Sequence, residues 1–152
     1  MLAVRVYVTG RICIEYCGRL VDEPQFPGRQ GRLLFAYAVC HRNRPLTRAE
    51  LADAIWQQGL PQAWESALSA LVSKLRGVLK EASAPDAELT MAGAMGGYLL
   101  RASHGTLIDR DLAAEAVDQA EAFLRAGDHR AAWAPANIAA ITARQPFLGG
   151  RG

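Results

Sequence analysis

The stretch that decides the fold is "ALSALVSKLRGVLK", residues 67–80. At about 100° per residue, its leucines and valines fall mainly on one side of a helix, and small residues occupy the other side. Lysine and arginine enter only toward the end of the stretch. A smooth helix face edged with positive charge is suited to close approach to a large anionic partner. The pattern therefore predicts an amphipathic helix that presents a contact surface.

This predicted helix spans residues 64–81, and its buried stripe consists of Leu68, Leu71, Val72, Leu75 and Leu79. The residues on its outer side are predicted to be Ser66, Ala70, Ser73 and Gly77, with Ser69, Arg76 and Lys80 along one edge and Lys74 along the other. Serine can bond phosphates or base edges, and lysine and arginine supply the charge that releases counterions from DNA. Taken alone, the same pattern is equally typical of an ordinary solvated helix face.

The composition of the chain bounds what it can be. Its 152 residues, 51% of them hydrophobic, suffice for one ordinary domain or for one small domain and part of a second. Residues 1–80 carry eleven basic and six acidic residues, whereas residues 81–152 carry six basic and nine acidic residues. This asymmetry predicts two units with different partners.

Targeting signals and cysteine chemistry favour a cytoplasmic protein. The chain has no apolar run of about 18 residues, and "MLAVRVYVTG" lacks the pattern of a signal peptide. Cys13, Cys17 and Cys40 are odd in number, and Cys40 directly precedes His41, which is poor spacing for zinc. We expect buried free thiols, no metal and no cofactor. Because no nucleophile triad, phosphate loop or paired-carboxylate motif is present, we expect no enzyme.

The remaining elements surround the helix in a definite order. Two antiparallel strands, "VRVYV" and "RICIEY", and a short third strand, "RLV", precede a first helix over 29–41. Thr47 and Glu50 predict a capping box that opens a second helix reaching Trp56. After a linker at 83–87, residues 88–101 predict a glycine-rich hairpin.

A helical hairpin is predicted to close the chain. Asp109 is predicted to cap a fourth helix, with Leu112, Ala116, Val117, Ala120 and Leu124 on one side, and Asp128 is predicted to cap a fifth. Pro135 is expected to kink or restart that fifth helix. A single helical hairpin cannot bury its apolar face alone, so 109–145 is expected to fold back on the rest or to pair with another chain.

The sequence resembles a known combination of domains. Its N-terminal strands, "LTRAELADAIW", "ALSALVSKLRGVL" and "GGYLL" resemble the OmpR/PhoB-type winged helix, and "IDRDLAAEAVDQAEAFLRAGDHRAAW" resembles the start of a bacterial transcriptional activator domain. The combination resembles SARP-type regulators, which activate transcription in bacteria. Members of that family usually continue with more helices, so the chain is expected to be a fragment or to have a shortened activation domain.

This resemblance implies an α+β, mostly helical fold. Residues 1–103 would form a winged helix-turn-helix domain with N-terminal antiparallel strands and a wing, and residues 104–152 would begin a helical, TPR-like activator domain. It also implies sequence-specific binding to double-stranded DNA, with helix 64–81 in the major groove and wing 88–101 on the backbone. RNA polymerase is the implied protein partner, and a homodimer on direct-repeat sites is expected.

The site residues follow from the helix face and the resemblance together. The candidate DNA contacts are Thr47, Arg48, Ser66, Ser69, Ser73, Lys74, Arg76, Lys80 and Arg101. By resemblance, the loop "QQGLPQA" contacts polymerase, which makes Gln57, Gln58 and Gln62 its candidate residues. For Arg29, Arg32 and Arg42 a solvated basic surface is as good an interpretation as a contact with phosphate.

Three positions depart from the family pattern. The family commonly has Arg-Leu-Arg followed by another base, where this chain has Lys74, Leu75, Arg76 and Gly77, and the position of Leu71 is often polar. Lysine cannot make the two-pronged contact with guanine that arginine makes. The alternative function is therefore a degenerate winged helix that acts as a protein-interaction adaptor without specific DNA binding.

Overall fold

The structure, a computed structural model, describes residues 4–83 and 88–145. Its elements in chain order are β1 (Arg5–Tyr7), β2 (Cys13–Tyr16), β3 (Arg19–Val21), α1 (Gly28–Cys40), α2 (Arg48–Ile55), α3 (Trp64–Glu81), β4 (Leu89–Ala94), β5 (Gly97–Ala102), β6 (Leu107–Ile108), α4 (Asp109–Arg125) and α5 (His129–Ala143). The α+β class, with a winged helix-turn-helix between the N-terminal strands and the last two helices, is confirmed. The predicted linker at 83–87 lies, except for Ser83, outside the described residues.

The N-terminal sheet has the strand order β3-β2-β1-β6. β1 and β2 pair antiparallel, with Val6 opposite Ile14, and β3 continues the meander. β6 then joins the free edge of β1 in parallel, with Val6 opposite Ile108. The chain therefore returns to its first strand before α4 begins. The division into 1–103 and 104–152 stays a prediction.

One hydrophobic core connects the sheet, the three-helix unit and the wing. Side chains with at most 2% exposure come from every one of these parts, and they include Ile14, Phe35, Leu51, Leu68, Leu75, Met91 and Leu100. Trp56 and Trp64 pack against the edge of this core. Burial of each large apolar side chain contributes roughly 1.5–3 kcal/mol to folding. The position of α3 is therefore set by its leucine stripe.

Two predicted helix caps form differently from expectation. Thr47 caps α2, because its Oγ1 accepts the N–H of Glu50 at 3.0 Å, but the Glu50 carboxylate binds Arg44 and Tyr37 and does not complete the box. The N-cap of α4 is Ile108, and the prediction of Asp109 as the cap was wrong. The Asp109 carboxylate instead accepts the N–H groups of Val8 at 3.1 Å and Thr9 at 3.0 Å.

The last two helices pack mainly on each other. Asp128 caps α5 as predicted, by accepting the N–H of Ala131 at 3.0 Å, and α5 continues through Pro135 without a restart. On α4 only Ala116 and Ala120 of the predicted apolar side are buried. The larger apolar side chains of the pair are at least 39% exposed, namely Leu112, Val117, Phe123, Leu124, Trp133, Ile138 and Ile141.

The structure also refines the interpretation of Arg42 and corrects the expectation for Cys17. Arg42 is not simply a solvated base, because it forms an ion pair with Asp111 and donates to the carbonyl of Val39 at 3.0 Å. Cys13 is buried and Cys40 partly buried, but Cys17 is exposed, so the expectation of a buried thiol was wrong there. Cys17 lies in the turn between β2 and β3 with φ +51°.

Candidate nucleic-acid interface

α3 presents the face that its sequence pattern predicts. Its five large buried side chains are those of the predicted stripe. The predicted outer residues are all exposed, namely Ser66, Ser69, Ala70, Ser73, Lys74, Arg76, Gly77 and Lys80. None of the outer residues between Ser66 and Ser73 carries a long side chain, so another molecule could approach the helix backbone closely along this side.

The wing is a hairpin with a two-residue turn. β4 and β5 pair from Leu89 opposite Ala102 to Ala94 opposite Gly97, which leaves Met95 and Gly96 at the tip. Both tip residues have positive φ, +49° and +78°, as a type I′ turn requires. Met95 is 92% exposed. An apolar side chain therefore projects from the wing tip in a conformation that most residues avoid.

Gly97 connects the wing to the start of α2. The backbones of Leu46 and Tyr98 exchange two hydrogen bonds, of 2.8 and 2.9 Å. A Cβ at position 97 would lie 1.9 Å from the carbonyl oxygen of Leu46, so only glycine permits this approach. The wing is thus held beside Thr47, the residue that caps α2.

Tyr98 holds two of the predicted DNA contacts. The guanidinium carbons of Arg48 and Arg76 lie 5.8 and 5.6 Å from the centroid of its ring, within the range of cation–π attraction. Arg48 also donates to the Tyr98 hydroxyl at 3.0 Å and to Ser69 Oγ at 2.8 Å, and Arg76 Nε donates to the carbonyl of Met91 at 2.8 Å. These bonds join α2, α3 and the wing into one surface.

The other candidate residues fall in three places. Lys74 and Lys80 are exposed on α3, and Thr47 is exposed at the start of α2. Arg101 is exposed near the base of the wing, where it lines a shallow groove with Arg42 and Glu88. It therefore lies at the end of the hairpin opposite to the tip.

The residues of the predicted polymerase-contact loop are exposed. Gln57, Gln58 and Gln62 are exposed between α2 and α3. Gly59 adopts φ +128°, and its N–H donates to the carbonyl of Trp56 at 3.2 Å. The loop therefore has a defined backbone path and outward-facing amides.

A charged network fixes α1 against α2 on the side of Tyr37. The Tyr37 hydroxyl donates to Glu50 Oε1 at 2.8 Å, and Arg44 Nη1 donates to Glu50 Oε2 at 3.0 Å. Hydrogen bonds from Arg44 and then from Tyr37 lower the pKa of Glu50 to about 2. Desolvation and the neighbouring Glu50 raise the pKa of Tyr37, so its hydroxyl remains a donor at neutral pH.

The sequence reasoning missed Tyr98 and Met95. "GGYLL" was recognised as a wing strand, but nothing in its spacing shows that the tyrosine would lie between two arginines from other elements. The position of Met95 at the wing tip could have been predicted, because a two-residue turn between Ala94 and Gly97 has Met95 and Gly96 at its centre.

Comparisons with known proteins support the fold. The structure is similar to that of Mycobacterium tuberculosis EmbR, solved in complex with a low affinity phosphopeptide, with a TM-score of 0.76 and 24% sequence identity. The match covers 99% of this chain and 38% of the EmbR chain. No protein-family model and no curated protein sequence matches the chain. The likeness to EmbR therefore shows the fold, and the chain spans well under half of that protein.

Neither a membrane-spanning helix nor a metal-binding cluster occurs in the part of the chain that the structure describes. Among residues 4–83 and 88–145, no helix is long and apolar enough to cross a membrane. The same part of the chain holds no group of three or more His, Cys, Asp or Glu side chains placed to bind a metal ion.

Proposed function

We propose that this chain is a DNA-binding transcriptional regulator that inserts α3 into the major groove. The observation that carries the proposal is the exposed face of α3, formed by small residues and serines, beside a wing fixed to α2 and α3 by Tyr98. A major groove about 12 Å wide admits a helix whose outer side chains are short. EmbR, whose fold the chain shares, is a transcriptional regulator of the SARP family, which supports the same role.

The mechanism of this function is positional. Ser66, Ser69 and Ser73 would face base edges or phosphates, and Lys74 and Lys80 would neutralise phosphates beside them. Thr47, at the positive end of α2, would add a backbone contact. The proposal assigns no catalytic chemistry and no cofactor to the chain.

Arg48 and Arg76 would position the surface as well as touch DNA. Each is within cation–π distance of Tyr98 and donates hydrogen bonds within the fold. Arg76 retains two terminal nitrogens for a phosphate or a base while its Nε holds the Met91 carbonyl. Arg101, at the base of the wing, would reach the backbone only where the duplex extends from the tip toward that base.

The proposed partners are double-stranded DNA and RNA polymerase in the bacterial cytoplasm. The exposed amides of Gln57, Gln58 and Gln62 would contact polymerase and make the regulator an activator. Two copies would bind side by side on direct repeats, as the resemblance to SARP-type regulators implies.

A second candidate function is a protein-interaction adaptor. It is favoured by the internal bonds of Arg48, Ser69 and Arg76, which leave Lys74 and Lys80 as the more accessible cations of α3. An adaptor would bind all DNA weakly, and its affinity would follow net charge alone.

Selection from a random duplex library, followed by mobility shifts at several salt concentrations, separates the two functions. The regulator should enrich a defined sequence, and Lys74→Ala should lower the slope of log affinity against log salt by about 0.9, one phosphate's worth. Arg130→Ala, an exposed substitution on α5, is the matched control and should leave the slope unchanged. An unenriched library would reject specific DNA binding.

The activator role needs a separate test. Replacing Gln57, Gln58 and Gln62 together by alanine should leave DNA affinity intact and lower transcription in a purified system. Loss of DNA binding in step with transcription would show that the loop serves the fold or the DNA instead.

A further inference from the structure

The structure contains a cavity away from the outer face of α3. It has a volume of about 570 Å³ and lies between α1, the end of α2 and the first turn of α4. This volume falls within the roughly 300–1,000 Å³ that is typical of small-molecule sites. Aliphatic side chains from two helices line it, namely Leu33 and Ala36 of α1 and Ala54 of α2.

Two aromatic rings form a preorganised part of the cavity lining. The rings of Tyr37 and His41 stack with centroids 4.2 Å apart and an interplanar angle of 25°. His41 Nδ1 donates to the carbonyl of Tyr37 at 2.9 Å, and Glu50 holds the Tyr37 hydroxyl at 2.8 Å. Since both rings are fixed by hydrogen bonds, a ligand would find this part of the cavity wall without ordering it first.

Arg110 adds a guanidinium to the lining of the cavity. Arg110 lines it from α4, and its two neighbouring acids are engaged elsewhere, because Asp109 accepts from Val8 and Thr9 and Asp111 pairs with Arg42. Within residues 4–83 and 88–145, no ion pair involves Arg110. Burial raises the pKa of the Cys40 thiol beside it, so this neighbour is a neutral group at pH 7.

We propose that this cavity binds a small aromatic carboxylate. The ring system would lie against Tyr37 and His41 over the aliphatic lining, and the carboxylate would accept two hydrogen bonds from Arg110. Gln57, the first residue after the Trp56 cap of α2, also lines the cavity. A bound acid would therefore contact both α4 and the start of the loop between α2 and α3.

The test uses naphthylacetate as the probe and neutral naphthylethanol as its matched compound. In ¹H–¹⁵N NMR titrations of the whole chain, the acid should cause saturable shifts at residues 33–41, 54–57 and 109–111. Arg110→Gln should weaken the acid about tenfold, as expected for a lost charge-assisted hydrogen bond, and leave the alcohol unchanged. Arg130→Gln, on the exposed side of α5, should bind both compounds like the parent.

A second variant guards against an indirect effect of Arg110. Ala54→Leu should fill the cavity and abolish binding of both compounds, while circular dichroism confirms that the helices remain. Shifts confined to another surface would overturn the proposal, and so would equal binding of acid and alcohol or acid binding that survives Ala54→Leu. Because no DNA is present, this result is independent of the function proposed above.

Discussion

Gly97→Ala should detach the wing from α2. The added Cβ would lie 1.9 Å from the Leu46 carbonyl oxygen and 2.9 Å from its carbon, and both atoms belong to the backbone. A flexible side chain could move aside, but this carbonyl accepts the N–H of Tyr98 at 2.9 Å. The chain can relieve the clash only by separating residues 46–47 from 97–98.

The size of the effect follows from what that separation breaks. Two backbone hydrogen bonds between Leu46 and Tyr98 are lost, at about 1 kcal/mol each. Residual overpacking adds roughly 1 kcal/mol. We therefore expect a loss of about 3 kcal/mol in the free energy of unfolding, together with weaker DNA binding because Tyr98 no longer positions Arg48 and Arg76.

Urea unfolding followed by circular dichroism measures this loss, with Gly93→Ala as the matched control. Gly93 lies in β4 of the same hairpin, and a Cβ there would meet no atom within 4 Å. The control should change stability by less than about 0.5 kcal/mol. If Gly97→Ala unfolds at the same urea concentration as Gly93→Ala, the close approach of wing and α2 is not a constraint and the reasoning is refuted.

Three further substitutions test local features. Glu50→Gln should lower the free energy of unfolding by about 1 kcal/mol at pH 7, after allowance for the partly exposed ion pair. In urea melts this difference from the parent should vanish as the pH falls from 4.5 toward 2. The reason is that the lowered pKa of Glu50 stabilises the fold only while the carboxylate is ionised. Gly77→Ala should raise stability by about 1 kcal/mol and the thermal midpoint with it, since the helix position is open. Met95→Asn should stabilise the fold by about 1 kcal/mol or less in the same melt, because asparagine accepts positive φ more readily; a destabilised variant would mean that the methionine packs on something.

Local periodicity was sufficient to predict α3, the helix on which the proposed function depends. Every outward and inward position of α3 agrees with the pattern of residues 64–81, because a leucine stripe can face only the core. The wing was found for a similar reason, since a glycine-rich turn between two apolar segments has few alternatives.

Long-range partners explain what the sequence could not show. Asp109 has the type and place of a helix cap, yet it binds Val8 and Thr9, which follow β1 about a hundred residues earlier in the chain. Glu50 likewise meets Arg44 and Tyr37 in preference to the N–H that a capping box would offer. A helix-capping rule considers only donors that are close in sequence. In the folded chain a carboxylate also binds donors that are distant in sequence but close in space.

The same limit applies to the candidate interface. Arg48 and Arg76 were chosen for their charge, but each is held beside Tyr98, and Arg42 pairs with Asp111 from α4. The charges in a sequence predict a basic surface. Which of its arginines are held by internal partners depends on the aromatic rings and carboxylates that folding places beside them.

The most direct test of the central claim is the DNA affinity of Ser73→Asp. Ser73 is exposed on α3 and lies outside the leucine stripe, so the fold should persist by circular dichroism. Gln119→Asp, an equally exposed substitution in the middle of α4, is the matched control. If α3 lies in the major groove, Ser73→Asp should bind the selected duplex about tenfold or more weakly through repulsion by phosphates, and Gln119→Asp should bind like the parent. A folded Ser73→Asp protein with the affinity of the parent would contradict the account.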